Sequence, residues 1–467
     1  MLNEILGTIN DFMYTYLLLF LLIGTGLYFT IRTKFVQVRM IREAIHILKE
    51  KGKEEDGKKQ VSSFQALMIS TASRVGTGNI AGIATAIAAG GAGAVFWMWL
   101  MAVIGGASAF IESTLAQVYK VKDGADYRGG PAYYMEQGLG KRWLGIVFSI
   151  LMIICFAYGF NGLQSFNMSS ALEYYIPNYS ESIYPVIVGI LLALATAFVI
   201  FGGVHRIGFI TSVMVPIMAG IYLLTGLFTI CMNLSALPKV ISMILSQAFD
   251  VQAILGGMAG SAVVIGIKRG LFSNEAGMGS APNAAAAASV SHPAKQGMVQ
   301  VLSVFIDTLL ICSATAMMLL LSGIEGVPGV LDGIPFVQKA ISANVGTWGI
   351  HFITASIFAF AFSSLIGNYY YAESNILFIK NNKVLLFVFR CTCLLAVFLG
   401  AQADFSLVWN LADITMGCMA IVNIIAILLL GNIALKVLKD YETQKKAGKN
   451  PVFKAENVGI KNTDCWK

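Results

Sequence analysis

The apolar residues of this chain fall in long blocks. Eleven of them are long enough to cross about 30 Å of hydrocarbon as a helix, near 13–33, 62–90, 92–118, 145–174, 184–203, 207–232, 254–290, 297–322, 347–378, 384–402 and 409–435. Between the first two the pattern changes. In FVQVRMIREAIHILKEKGKEEDGKK, Ile41, Ala44, Ile45 and Leu48 recur at helical spacing against Arg39, Arg42 and Lys49, which predicts an amphipathic helix at the membrane interface. The first block follows an acidic N-terminus and no small-residue cleavage site follows it, so it reads as a retained span rather than a signal peptide. The blocks together predict an all-α polytopic membrane protein with about 11 transmembrane helices.

Two of the blocks are interrupted. STASRVGTGNIAGIATAIAAGG, residues 70–91, carries Gly76, Thr77, Gly78 and Asn79 at mid-depth. KRGLFSNEAGMGSAPNAAAAASVSH, residues 268–292, surrounds Ser273, Asn274 and Glu275 with Gly270, Gly277, Gly279 and Pro282. In a helix interior a glycine costs about 1 kcal/mol and a proline about 3. In the bilayer every backbone N–H and C=O must be satisfied within the protein, so unwound backbone survives only where it lines a cavity or binds something. With the first span set aside, the interrupted blocks are the first and sixth of ten, five in 62–232 and five in 254–435. Five is odd, so the second set crosses the membrane inverted relative to the first. The expected organisation is therefore 1–61, an N-terminal helix and cytoplasmic amphipathic linker; 62–232 and 254–435, inverted repeats; and 436–467, a basic cytoplasmic tail. Glycines placed for close helix packing account for either break alone, but poorly for two breaks at corresponding places. Such a pair points to a secondary transporter's binding site. Half-helix N-termini suit an anion, while half-helix C-termini and unwound carbonyls suit a cation, so a zwitterion with a coupled cation fits best.

Composition and charge sharpen this picture. The chain is 57% hydrophobic and only 12% charged, about half the charge share of a soluble protein. Loops on one side of the alternating blocks hold 26 Lys and Arg, and those on the other hold 2. The positive-inside rule then puts the N-terminus outside and the C-terminus in the cytoplasm of a prokaryotic cell. The net charge of +7 is thereby topological, and no nucleic-acid partner is expected. Six of the seven cysteines lie in apolar runs and none has metal-ligand spacing, so neither disulfides nor a metal cluster is expected. No nucleophile triad, metal constellation or phosphate loop is present, which argues against an enzyme and for transport driven by an ion gradient, without a cofactor. Arg74, Glu112, Lys268, Arg269, Glu275, Asp307 and Glu373 fall within spans. Charges are expensive there, and all but Glu275, which lies in a break, are expected to form ion pairs across the bundle. Oligomeric state is left open.

The stretches GTGNIAG, GGAGAVFWMW, RGGPAYYMEQGLG, RGLFSNEAGMGSAPNAAA and VFIDTLLICSATA resemble the alanine or glycine:cation symporter family, the sodium:alanine symporters, over residues 13–435. The resemblance implies a leucine-transporter-type fold. It implies that Thr77, Gly78 and Asn79 meet a substrate carboxylate and a neighbouring Na⁺. Carbonyls of Ala72 and Val75, with hydroxyls of Ser363 and Ser364, would make a second Na⁺ site. Ser273, Asn274, Gly277 and Met278 would form the pocket's other wall, and Gln164, with Asn161 one turn earlier, would face the substrate. Asn161 and Gln164 also share one helix face by spacing alone, where buried amides need partners. Family members commonly read Gly-Trp where this chain has Gly367-Asn368, so the resemblance leaves a strict alanine preference in doubt. An asparagine there removes a large indole and adds donors and an acceptor, which predicts acceptance of glutamine or asparagine beside alanine, glycine or serine. The leading expectation is Na⁺-coupled symport of small neutral amino acids by alternating access. The alternatives are H⁺ coupling through Glu275 or Asp307, and a channel, which two asymmetric halves make poorly.

Overall fold

The computed structural model describes residues 2–50, 54–55, 58–124, 126–250 and 261–466. In chain order its main helices are α1 (Glu4–Arg32), α2 (Ile41–Ile47), α3 (Ser63–Arg74), α4 (Ala81–Gly90), α5 (Gly93–Val118), α6 (Arg142–Ser170), α7 (Tyr184–Ile200), α8 (Arg206–Met232), α9 (Ala262–Asn274), α10 (Pro282–Ala287), α11 (Pro293–Leu320), α12 (Trp348–Ile379), α13 (Lys383–Gly400) and α14 (Phe405–Lys446). Among the described residues, eight helices are long and apolar enough to cross a membrane. The other expected blocks are the shorter apolar α7 and two interrupted elements, α3–α4 and α9–α10. The expected start of the seventh block, 254–260, lies outside the described residues.

Both interruptions are built by local chemistry. A capping box starts α3: Ser62 Oγ accepts the Gln65 N–H at 3.2 Å and Gln65 Oε1 accepts the Ser62 N–H at 3.0 Å. The helix stops at Arg74. Gly76 is extended at φ −129°, a short 3₁₀ turn spans Thr77–Asn79, and α4 follows. In the second element α9 runs through Ser273 and Asn274, further than the glycine density predicts, and unwinds at Glu275, which is left-handed at φ 53°. Gly277 and Gly279 continue the break at φ 82° and 86°, a region where a Cβ is strained. Pro282 restarts the chain as α10, where its missing N–H costs nothing. Two neighbouring helices carry π-helical segments beside the breaks, Ile153–Phe160 in α6 and Ile306–Cys312 in α11. Such bulges re-aim side chains and often mark functional sites.

The linker and tail depart from expectation. α2 forms, but Ala44 and Ile47 are its buried positions and it packs on α11, while Ile45 is 49% exposed and faces away from that contact. The helix that carries the last expected span, 409–435, runs on to Lys446. Beyond it the tail folds back: Phe453 N–H bonds Ser291 O at 2.9 Å, and Trp466 Nε1 donates to Gln117 O at 2.7 Å. Beside the tail, His292 is buried against Phe453 and Tyr441. Its Nδ1 accepts the Ala294 N–H at 3.2 Å and its Nε2 faces Asp440 at 3.1 Å, with Lys295 near it. Burial holds its pKa below the usual value, against the pull of Asp440. A depressed histidine pKa means the folded state prefers the neutral ring, so its contribution is complete above the free value of about 6.5 and shrinks as pH falls below it. On acidification from about pH 7 to about pH 5, the thermal midpoint of the parent should therefore drop more than that of His292→Gln. Equal drops would remove His292 from that account.

Candidate functional site

The two breaks meet at the centre of the bundle. In the first, the Gly76 N–H is taken by Asn79 Oδ1 at 3.0 Å and the Thr77 N–H by Gln164 Oε1 at 3.0 Å. Thr77 Oγ1 is buried and has no partner among the described residues. Asn79 Nδ2 reaches Asp307 Oδ1 at 2.6 Å and Ser273 Oγ at 3.2 Å. Asp307, in the π segment of α11, also accepts from Ser273 Oγ at 2.5 Å and from Thr308 Oγ1 at 2.9 Å. Gly78 has Phe272 against it, where an added Cβ would lie 2.6 Å from the ring.

The second break is held by carboxylates. Glu112 on α5 accepts the Gly277 N–H at 3.2 Å and the Gly279 N–H at 3.1 Å, and takes Asn423 Nδ2 of α14 at 2.8 Å. Glu275 accepts from Ser73 at 3.0 Å and from Ser280 at 2.5 Å, tying the two breaks together. Asn274 caps the Ala276 N–H at 3.0 Å through Oδ1 and leaves Nδ2 buried without a partner among the described residues. Met278 is fully buried behind it.

The remaining expected site residues divide. Ser364 on α12 donates toward the Ala72 carbonyl at 2.9 Å, with Ser73 O at 3.1 Å, so this hydroxyl does face the end of α3 beside Val75. Ser363 does not: its hydroxyl bonds back to Phe360 O at 2.8 Å, as serine in a helix readily does. Asn368 lies in the wall between the helices, Oδ1 at 2.8 Å from Ser73 Oγ and Nδ2 donating to Asn161 Oδ1 at 3.1 Å. Asn161 in turn donates to Cys393 Sγ at 3.3 Å, so it braces Asn368 from behind.

The expectation of ion pairs holds for some of the buried charges only. Lys268 and Arg269 both pair with Asp413 at 2.8 Å, and Glu373 pairs with Arg390 at 3.0 Å. Glu112 and Asp307 instead take neutral donors, and Arg74 bonds Gln300 Oε1 at 3.3 Å while its Nε and Nη2 meet no partner among the described residues. Asp413 escaped the count of intramembrane charges, although it interrupts an apolar block as plainly as the others. Its pair with Arg269 borders a chain of tilted and edge-on aromatic rings toward the end of α14 away from the basic tail: Arg269 over Trp409 at 4.3 Å, Trp409 to Phe272 at 5.2 Å, Phe272 to Phe160 at 4.9 Å. Asn10 and Tyr14 of α1 also reach Asp413, which anchors the N-terminal helix to this end.

Two interrupted helices that meet inside the bundle, with polar and carbonyl groups converging between them, are the discontinuous pair of a leucine-transporter-type fold. Comparison with solved structures agrees on the fold. The crystal structure of MhsT in complex with L-phenylalanine superposes with a TM-score of 0.57 at 14% identity, covering 83% of this chain and 99% of that one. The sequence model of the sodium:alanine symporter family matches residues 1–455, and the chain belongs to that family. It is a sodium-coupled amino-acid symporter, a multi-pass membrane protein and not an enzyme. The Amino-acid carrier protein AlsT of Bacillus subtilis is 50% identical over 100% of this chain and 98% of its own length. The Probable sodium/glutamine symporter GlnT of the same organism is 48% identical over 100% and 96%.

Proposed function

We propose that this chain imports small neutral amino acids, namely alanine, glycine, serine and also glutamine or asparagine, together with Na⁺, by alternating access between the inverted repeats 62–232 and 254–435. The observation that carries the reading is the meeting of the two breaks, where Asn79 of the first reaches Ser273 of the second and Ser73 reaches Glu275. Thr77 Oγ1 and Asn274 Nδ2, one on each break, are buried without a partner among the described residues and are free to bond a zwitterion. In this reading Thr77, Gly78 and Asn79 take the carboxylate, with Gln164 releasing the Thr77 amide, and Ser273, Asn274, Gly277 and Met278 close the other wall. One Na⁺ lies by Asn79, with Asp307 as its counter-charge. A second is caged by the Ala72 and Val75 carbonyls and Ser364, hard oxygen donors of the kind Na⁺ prefers over sulfur or nitrogen. The basic loops and tail face the cytoplasm and the N-terminus faces out.

Proton coupling through Asp307 is the competing reading, favoured by the lack of any Lys or Arg bonded to it among the described residues. Uptake of labelled alanine into proteoliposomes separates the two. It should require an inward Na⁺ gradient, and uptake driven by a proton gradient alone without Na⁺ would replace the sodium reading. The same assay tests the substrate range. Unlabelled glutamine should compete in the parent. In Asn368→Ala glutamine should compete about fivefold less well, the worth of one lost hydrogen bond, with alanine uptake retained. Failure of glutamine to compete in the parent ends the enlarged-pocket idea.

A further inference from the structure

On the basic face, away from the two breaks, α1 ends beside the extension of α14 around a cavity of about 390 Å³. Five cations line it, Arg32, Lys34, Arg39, Lys439 and Lys446, against one carboxylate, Glu442. Two of the cations are committed: Arg32 binds Asn432 Oδ1 at 3.0 Å and Tyr28 OH at 2.7 Å, and Arg39 pairs with Glu442. The three lysines have no ion-pair partner among the described residues and are exposed. So many like charges around one hollow repel each other unless an anion sits among them.

The backbone adds an independent observation. α1 closes with Lys34 N–H on Ile31 O at 3.0 Å and Phe35 N–H on Thr30 O at 2.8 Å, the bonding of a Schellman motif. Its left-handed position is normally glycine, yet here Lys34 and Phe35 are both left-handed, at φ 55° and 57°. An L side chain is strained at each of these positions. The turn lifts Lys34 into the cavity's rim and turns Phe35 outward at 56% exposure, level with Ile31 at 67% and Val38 at 55%. A lysine cluster therefore borders directly on an apolar strip that belongs in lipid.

We propose that this cavity binds the phosphate of an anionic phospholipid, with Lys34, Lys439 and Lys446 on the headgroup and the acyl chains along Ile31, Phe35 and Val38. The commitment to a lipid rather than free phosphate rests on that apolar strip. Bound there, one lipid would bridge the N-terminal helix and the end of α14.

The test uses the full-length protein in nonionic detergent, titrated with phosphatidylglycerol and followed by native mass spectrometry. The parent should retain one phosphatidylglycerol that saturates. The triple variant Lys34→Gln, Lys439→Gln, Lys446→Gln should bind about a hundredfold more weakly, since each surface lysine contributes about one part in three of two decades. Lys141→Gln, Lys380→Gln, Lys383→Gln removes the same charge elsewhere on that face and should change binding by no more than about twofold. Glu442→Gln, which frees Arg39, should tighten it, and it stands as the deciding variant should the triple variant not fold. Unchanged binding in the pocket variant, equal loss in the control, or no tightening in Glu442→Gln each overturns the proposal. Equal binding of phosphatidylcholine overturns anion selectivity. Displacement by an equal concentration of inorganic phosphate overturns the lipid assignment in favour of a soluble anion.

Discussion

Replacing Gly76 by alanine should stop Na⁺-driven uptake while leaving a folded protein. A Cβ at this position would overlap Ser364 Oγ and stand 3.0 Å from both amide atoms of Gln164. Those two side chains hold the Ala72 carbonyl and the Thr77 N–H, so the crowding falls on both sides of the first break at once. Forcing an extra carbon into a packed interior costs about 1–3 kcal/mol. If that cost is borne by the liganded state, affinity for Na⁺ or substrate falls about 5- to 150-fold. Gly220→Ala is the matched control, because nothing lies within 4 Å of a Cβ there. Initial rates at graded Na⁺, alongside thermal midpoints, decide the matter, and parent-like uptake in Gly76→Ala would show that this approach is not critical.

The breaks were legible because glycine and proline leave a signature that no packing context hides. Gly76, Gly78, Gly277, Gly279 and Pro282 mark both interruptions to within a few residues, and the family motifs coincide with them. The end of α9 was less so: Ser273 and Asn274 are poor helix formers, but the following left-handed Glu275 stops the helix, and residue type alone does not say where a side chain will cap. Ser363 and Ser364 are indistinguishable in sequence. Only the helical rotation of about 100° between them decides that one faces Ala72 and the other its own helix. The amphipathic α2 was recognised by period, yet the period cannot say whether its apolar side meets lipid or protein, and here it meets α11.

The buried charges teach the sharper lesson. A charge in a span must be compensated, and sequence reasoning supplied the nearest kind of compensation, an opposite charge. Ion pairs did form where long side chains could reach, as with Lys268, Arg269 and Asp413. At the breaks, however, unwinding frees backbone N–H groups, and these compete for carboxylates on equal terms. Glu112 and Asp307 are bonded to amides and hydroxyls, and the buried Arg74 acts on both as a nearby charge rather than as a bonded partner.

Glu112 should accordingly be among the most sensitive positions for folding. Its carboxylate satisfies the N–H groups of Gly277 and Gly279 and the amide of Asn423, and all of these are buried. No other acceptor for either N–H is found among the described residues, and in hydrocarbon no water takes its place. Each N–H left unmet costs about 1–3 kcal/mol, so Glu112→Ala should lose about 2–6 kcal/mol, a large part of the 5–15 kcal/mol that holds an ordinary domain together. Glutamine keeps one carbonyl oxygen but turns an NH₂ toward the second N–H, so Glu112→Gln should fall between. The expected order of thermal midpoint and of monodisperse yield is parent, then Glu112→Gln, then Glu112→Ala. A parent-like midpoint in Glu112→Ala would mean that Gly277 and Gly279 hold their left-handed turns unaided, and that the second break is set by glycine alone.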